Sequence, residues 1–207
     1  MKECDKLQAV SDCSGAPLPV FGKGFVTECK EAAGARPAGS VFLLKVQVPD
    51  GAGDKGQTPL PLAGQFYLLR AEKSGVLLGR PISVYAASRG QAADGTSATS
   101  LEFLILQKGS GTRELCSLEN GDGIQLIGPL GNYFPQPTAG DRVCIAGGGI
   151  GVAPVAGFAS TLPEKSYDFY ASFKSGSYGL EHIQPAALTV TTDDGSVGVH
   201  GMITAAL

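Results

Sequence analysis

The chain has 207 residues, enough for one large domain or two small ones. Apolar residues make up 43% and charged residues 17%, with a net charge of −3. That balance excludes charge-driven disorder, and without a cluster of Lys and Arg it excludes a nucleic-acid partner. No apolar run reaches the ~18 residues needed to cross a bilayer, and Met1 to Lys6 leads into no apolar stretch of a secretory signal. The five cysteines (Cys4, Cys13, Cys29, Cys116, Cys144) are odd in number and lack short pairings. They fit neither a disulfide framework nor a zinc or iron–sulfur clip, and imply a reduced, cytoplasmic chain. Glycine fills 30 positions, about twice the usual ~7%, with no collagen-like period. The excess therefore serves turns or places where backbone approaches a ligand.

In chain order, a first strand is expected around Gly24–Glu28. Residues 41–48 alternate, with Phe42, Leu44, Val46 and Val48 on one face and Lys45 and Gln47 on the other. Residues 65–70, 82–86, 101–107 and 123–127 are further strands, and a short helix starts near Thr112 and stops at Asn120-Gly121. Six strands with scarcely a helical period between them predict a small antiparallel barrel. Past the linker-like stretch 136–140 the texture changes. Val143–Ala146 is a continuous apolar run, as in a strand buried on both faces, Cys144 included. A glycine cluster, a helix from Ala153 to Thr161, and strands at Tyr167–Phe173 and Ala187–Thr191 follow, which opens a parallel α/β sheet. The predicted domains are residues 1–139 and 140–207.

Four segments carry chemistry. In 147–154, GGGIGVAP, glycines after a buried strand let the backbone turn tightly and approach a diphosphate, with the helix N-terminus aimed at it. Pro154 suits the first helical turn. Pro154 also stands where a third glycine of the dinucleotide fingerprint would be, so an ordinary strand-to-helix turn stays open. In 79–83, GRPIS, an Arg fixed by the following Pro offers a rigid fork for a diphosphate, and Ser83 a hydroxyl that donates and accepts; an Arg-Pro pair before a strand is commonplace, so by itself this segment stays open to an ordinary strand start. In 107–113, QKGSGTR, Gly109 and Gly111 flank Ser110 before the short helix. In 128–134, GPLGNYF, the glycines make a tight turn that either closes the barrel or meets a ligand.

Taken in this order, the segments resemble the ferredoxin–NADP reductase superfamily. GRPISV, LQKGSGT, IGPLGNYF, GGGIGVAP, SYGLE and TTDDGSVGVHG are most similar to the electron-transfer subunits of dihydroorotate dehydrogenase. The resemblance covers roughly residues 18–207. It implies a six-stranded FAD-binding barrel followed by an NAD(H)- or NADP(H)-binding α/β half. It also implies that Arg80 and Pro81 clamp the flavin diphosphate, that Ile82 and Ser83 sit by the isoalloxazine, and that Ser83 serves the reactive edge. Lys108, Gly109, Gly111 and Thr112 would cradle the diphosphate from the other side. Gln65, Phe66 and Tyr67 match where the family lines the flavin pocket, and Gly148, Gly149, Ile150 and Gly151 would approach the dinucleotide. Superfamily members often carry a Tyr where Ile82 stands, so ring stacking there is lost.

The family's chain continues with a further strand, a Cys-Gly-Pro-type loop and a four-cysteine [2Fe–2S] segment, none of which stands before Leu207. The implied nucleotide domain is therefore incomplete, through truncation or because a partner covers its edge. No metal-ligand set is expected in what is present. Two functions stay open: a reductase subunit that passes electrons from NAD(P)H through FAD to a catalytic dehydrogenase partner, and a non-catalytic flavin-binding or assembly module. His182 and His200 are expected at surface or structural positions, and Asp193-Asp194 in a turn before Gly195. Lys174 could meet a ribose phosphate or solvent, which leaves NADH versus NADPH undecided.

Overall fold

A computed structural model describes residues 17–35, 40–51, 58–92, 94–138 and 140–205. Cys4, Cys13 and Ala139 lie outside the described residues. Six strands, β1 (Val20–Glu31), β2 (Val41–Pro49), β3 (Phe66–Ala71), β4 (Arg80–Gln91), β5 (Ser97–Leu106) and β6 (Gly123–Leu130), close an antiparallel barrel in the order β1-β2-β5-β4-β3-β6. Alternation decides what fills it: Leu44, Val46 and Val48 of β2 point inward with Val26, Tyr67, Leu69, Val84, Leu101, Phe103 and Ile105. The helix α1 (Ser110–Cys116) joins this core through Leu115 and Cys116. Burial of those two side chains anchors the helix and fixes the Gly-Ser-Gly-Thr segment at its start.

The second part is a four-stranded parallel sheet, ordered β10-β9-β8-β7, of β7 (Val143–Gly148), β8 (Tyr167–Phe173), β9 (Ala187–Thr192) and β10 (Val199–His200). A single 3₁₀ turn, Gly149–Gly151, leads from β7 into α2 (Val152–Ala159). Gly147 makes that turn possible by packing: a Cβ there would stand 2.6 Å from Val155 Cγ2 and 3.2 Å from Val152 Cα. A second core joins the two parts. Val41, Tyr85 and Leu104 of the barrel pack with Ile145, Val152, Ala156, Phe158 and Phe169. At the tightest point α2 meets β4 without a side chain, since a Cβ on Gly157 would lie 2.6 Å from the Tyr85 carbonyl oxygen.

Two readings of the sequence need correction. Cys144 is exposed, as is Ala146, while Ile145 between them is buried. Among the described residues α2 covers one face of β7 and no layer covers the other, so an apolar run there does not mean burial on both faces. The two-residue β10 also escaped notice, being too short to carry a period. The Asp193-Asp194 turn is as read: Asp194 Oδ1 accepts the Ser196 N–H at 2.9 Å, and this bonding holds its carboxyl below the usual range.

Candidate functional site

Arg80 opens β4, paired with Leu69 of β3, and its side chain lies across the start of α1. A Cβ on Gly111 would stand 2.2 Å from Arg80 Nε, so only glycine at that position leaves room for the guanidinium. Arg80 Nε is buried with no hydrogen-bond partner, and no carboxylate among the described residues pairs with Arg80. An unpaired cation with a buried, unsatisfied donor at a glycine-lined helix start suits an anion from outside the chain. That is the chemistry of a flavin's diphosphate, and these residues fit it.

Thr112 has a different task from the one its motif implies. Its Oγ1 accepts the N–H groups of Lys108 (2.9 Å) and Gly109 (3.0 Å) and donates to the Gly109 carbonyl (3.0 Å). The hydroxyl is thereby committed to shaping the loop. A Cβ on Gly109 would meet nothing within 4 Å, so this side of the loop is open. Ser83 pairs with Phe66 across β3 and β4, and among the described residues its hydroxyl has no protein partner. The register of β4 shifts between Val84 and Ala86, just beyond it. Pro81 is exposed and Ile82 half-buried against the barrel core.

Gln65 and Tyr67 are not where the motif resemblance put them. Both side chains are buried in the barrel, at 1% and 2% exposure. Gln65 Oε1 accepts the Leu62 N–H at 2.9 Å and its Nε2 donates to the Gly131 carbonyl at 3.1 Å. The Tyr67 ring fills the space a Cβ on Gly128 would need, 2.3 Å from its Cδ1. Their work is to hold the barrel's closing turn, which is also what Gly128 is for. Phe66, between them, stays half-buried on the outside beside Ser83.

The C-terminal ends of β7 and β8 open onto the end of β5. A crevice of about 370 Å³ lies there, lined by Gly149, Ile150, Phe173, Lys174 and Tyr178 from the sheet, and Ser40, Val41, Gln107 and Lys108 from the barrel. Gly149 has φ +52, and a Cβ on it or on Gly151 would meet nothing within 4 Å. Gly148 is exposed in extended backbone and caps the 3₁₀ turn. Lys108 and Lys174 are exposed and pair with no carboxylate among the described residues. Lys108 ties the crevice to the Arg80 cluster, because the next residue begins the loop that Thr112 shapes. Crevices outside the carboxyl ends of parallel strands are where such sheets take nucleotides. A larger groove, about 490 Å³, runs between residues 60–63, β4 and α2 and is mostly apolar. Sequence reasoning missed the barrel residues of the crevice, Ser40 and Val41, because they reach it only through the pairing of β2 with β5.

The fold is that of the ferredoxin reductase-like flavoproteins, a closed antiparallel barrel followed by a parallel nucleotide-binding-type sheet. Similar structures include the flavohem-like FAD/NAD-binding domain of the nitric oxide dioxygenase of Vibrio cholerae (TM-score 0.64, 16% identity, 87% of this chain and 78% of that one). Another is the Amycolatopsis cytochrome P450 reductase GcoB (TM-score 0.61, 22% identity, 86% and 53%). In sequence the chain is homologous to the electron-transfer subunit of dihydroorotate dehydrogenase B (NAD(+)). The subunit of Clostridium acetobutylicum is 40% identical over 143 residues, 68% of this chain and 54% of the relative. That of Clostridium perfringens is 32% identical over 148 residues, 69% and 56%. The chain thus spans about half the length of the relatives it matches. No protein-family profile matches it.

Proposed function

We propose that the chain is a flavoprotein electron-transfer subunit that takes reducing equivalents from a nicotinamide dinucleotide and delivers them to a catalytic dehydrogenase, of which dihydroorotate dehydrogenase is the first choice. The observation that carries the reading is the unpaired Arg80, its buried Nε set against Gly111, beside a crevice at the ends of β7 and β8. FAD, when bound, supplies a centre that accepts a hydride and returns electrons one at a time. Arg80 would neutralise the diphosphate, with the open N–H groups around Gly109 and Gly111 completing the cradle. Ser83 would offer its unpartnered hydroxyl to the ring edge, with Phe66 and Ile82 excluding water beside it. Gly148 to Gly151, Lys108 and Lys174 would hold the dinucleotide. Such a site needs no nucleophile and no base, because placement and electrostatics supply the catalysis. Among the described residues no group of three His, Cys, Asp or Glu side chains could hold a metal ion. No helix among them is long and apolar enough to cross a membrane.

The homologues support the reductase reading, and nothing in the comparisons supports a non-catalytic module. The partner is tested by mixing the flavin-reduced chain, under anaerobic conditions, with the catalytic subunit of a bacterial dihydroorotate dehydrogenase and orotate. Reoxidation of the flavin with formation of dihydroorotate is expected. A flavin that stays reduced in the mixture overturns the partner assignment.

A further inference from the structure

A smaller cavity, about 220 Å³, lies where β1, β2, β4 and β5 meet the segment that follows β8. Its polar groups bridge the barrel and the sheet. His182 lies against the Tyr85 ring, with centroids 5.3 Å apart, and its Nε2 is 3.7 Å from Glu102 Oε2. That carboxylate oxygen is buried and has no hydrogen-bond partner. The other oxygen of Glu102 is 3.5 Å from Lys45 Nζ, which also stands 3.3 Å from Glu28. The Tyr85 hydroxyl donates to Glu181 Oε2 at 2.9 Å. On β1, Lys30 pairs with Glu28 at 2.6 Å and Glu31 lines the cavity. Gly179, with φ +71, presses this segment onto the barrel: a Cβ there would be 2.6 Å from Leu104 Cδ1.

The segment joins two places. Phe173, Lys174 and Tyr178 line the dinucleotide crevice, while Glu181 and His182, a few residues on, grip the barrel. Tyr85, which they grip, is two residues from Ser83 on β4. We propose that His182 and Glu102 form a proton-set clasp that holds the barrel and the sheet at the separation the dinucleotide crevice needs. Both are positioning residues, and the proposal rests on the reductase reading above. An imidazolium carries a donor on each nitrogen and a charge to set against the unpaired Glu102 oxygen, whereas a neutral imidazole carries neither charge nor a second donor. A charged imidazole at His182 therefore favours the closed clasp.

The test measures flavin reduction by saturating NADH in a stopped-flow instrument, from about pH 5.5 to 8.5, for the FAD-loaded wild type, His182→Gln and His182→Arg. The wild-type rate is expected to fall about two- to fivefold as pH rises, the size of a partly exposed ion pair. His182→Gln should stay at the slow level and His182→Arg, charged throughout, at the fast one. A His182→Gln profile that follows the wild type overturns the clasp. Thermal midpoints of the same three proteins give a reading without turnover: the wild type should exceed His182→Gln at low pH and converge with it at high pH. A difference that does not change with pH overturns the clasp on that reading too. If neither NADH nor NADPH reduces the wild-type flavin, the reductase reading has failed, and the midpoints alone judge the clasp.

Discussion

At the scale of single residues, the site depends on one contact in which a missing side chain matters as much as a present one. Gly111→Ala ought to favour α1, since alanine is the better helix former by ~1 kcal/mol. Its Cβ, however, would stand 2.2 Å from Arg80 Nε and push the guanidinium aside. The expected result is an unchanged or slightly higher thermal midpoint with FAD affinity lowered about tenfold or more, the worth of a charge-assisted contact. Calorimetric titration with FAD checks it. Cys29 and Cys116 give a second residue-scale prediction. Burial raises both thiols, Cys116 up to about 12, so ~1 in 10⁴ of Cys116 is thiolate at pH 8. A thiol reagent at pH 8 should therefore modify exposed Cys144 and leave Cys116 intact in the folded chain. A thiol whose folded value lies above its unfolded one stabilises the fold below the unfolded value and loses that contribution as pH rises. Stability should thus fall by ~1.4 kcal/mol per pH unit above about 8.5 on this account. Cys116→Ser should flatten the fall in denaturant melts. The motifs singled out Arg80 and the Gly109–Thr112 loop by residue type and spacing, and the fold sets the two against each other. The motif resemblance set Gln65 and Tyr67 at the flavin pocket by their place along the chain, which does not show that their side chains point into the barrel.

At the scale of elements, α1 and α2 carry the glycine segments and are fixed by opposite devices. Leu115, 1% exposed, anchors α1 in the barrel core. Leu115→Ala should cost about 2–5 kcal/mol in urea unfolding and weaken FAD binding with it. The contact of α2 with β4 depends on the absence of a side chain, so Gly157→Val should drive them apart at a cost of about 1–3 kcal/mol. The strands were legible at their centres, where the alternation is strongest, and too short at their ends. β4 runs from Arg80 to Gln91 because its later half, AASRGQ, pairs with β5 through backbone bonds that need no apolar pattern. The exposure of Cys144 could not be read at all, since it depends on which elements cover β7 and not on β7 itself.

At the scale of the molecule, barrel and sheet share a continuous core and face each other across the crevice that Lys108 and Gly149 line. The glycine excess resolves into distinct duties: Gly111 and Gly157 admit a neighbour, Gly128 yields to Tyr67, and Gly149 and Gly151 border open space. The seam residues Tyr85, Glu102 and His182 carry no motif, because they meet only through the folding of separate segments. Whether this arrangement reduces flavin with a nicotinamide dinucleotide is tested most directly by the anaerobic visible spectrum of the FAD-loaded chain before and after NADH or NADPH. Loss of the oxidised flavin absorbance with either nucleotide is the predicted result. Bound flavin that neither nucleotide bleaches would contradict it.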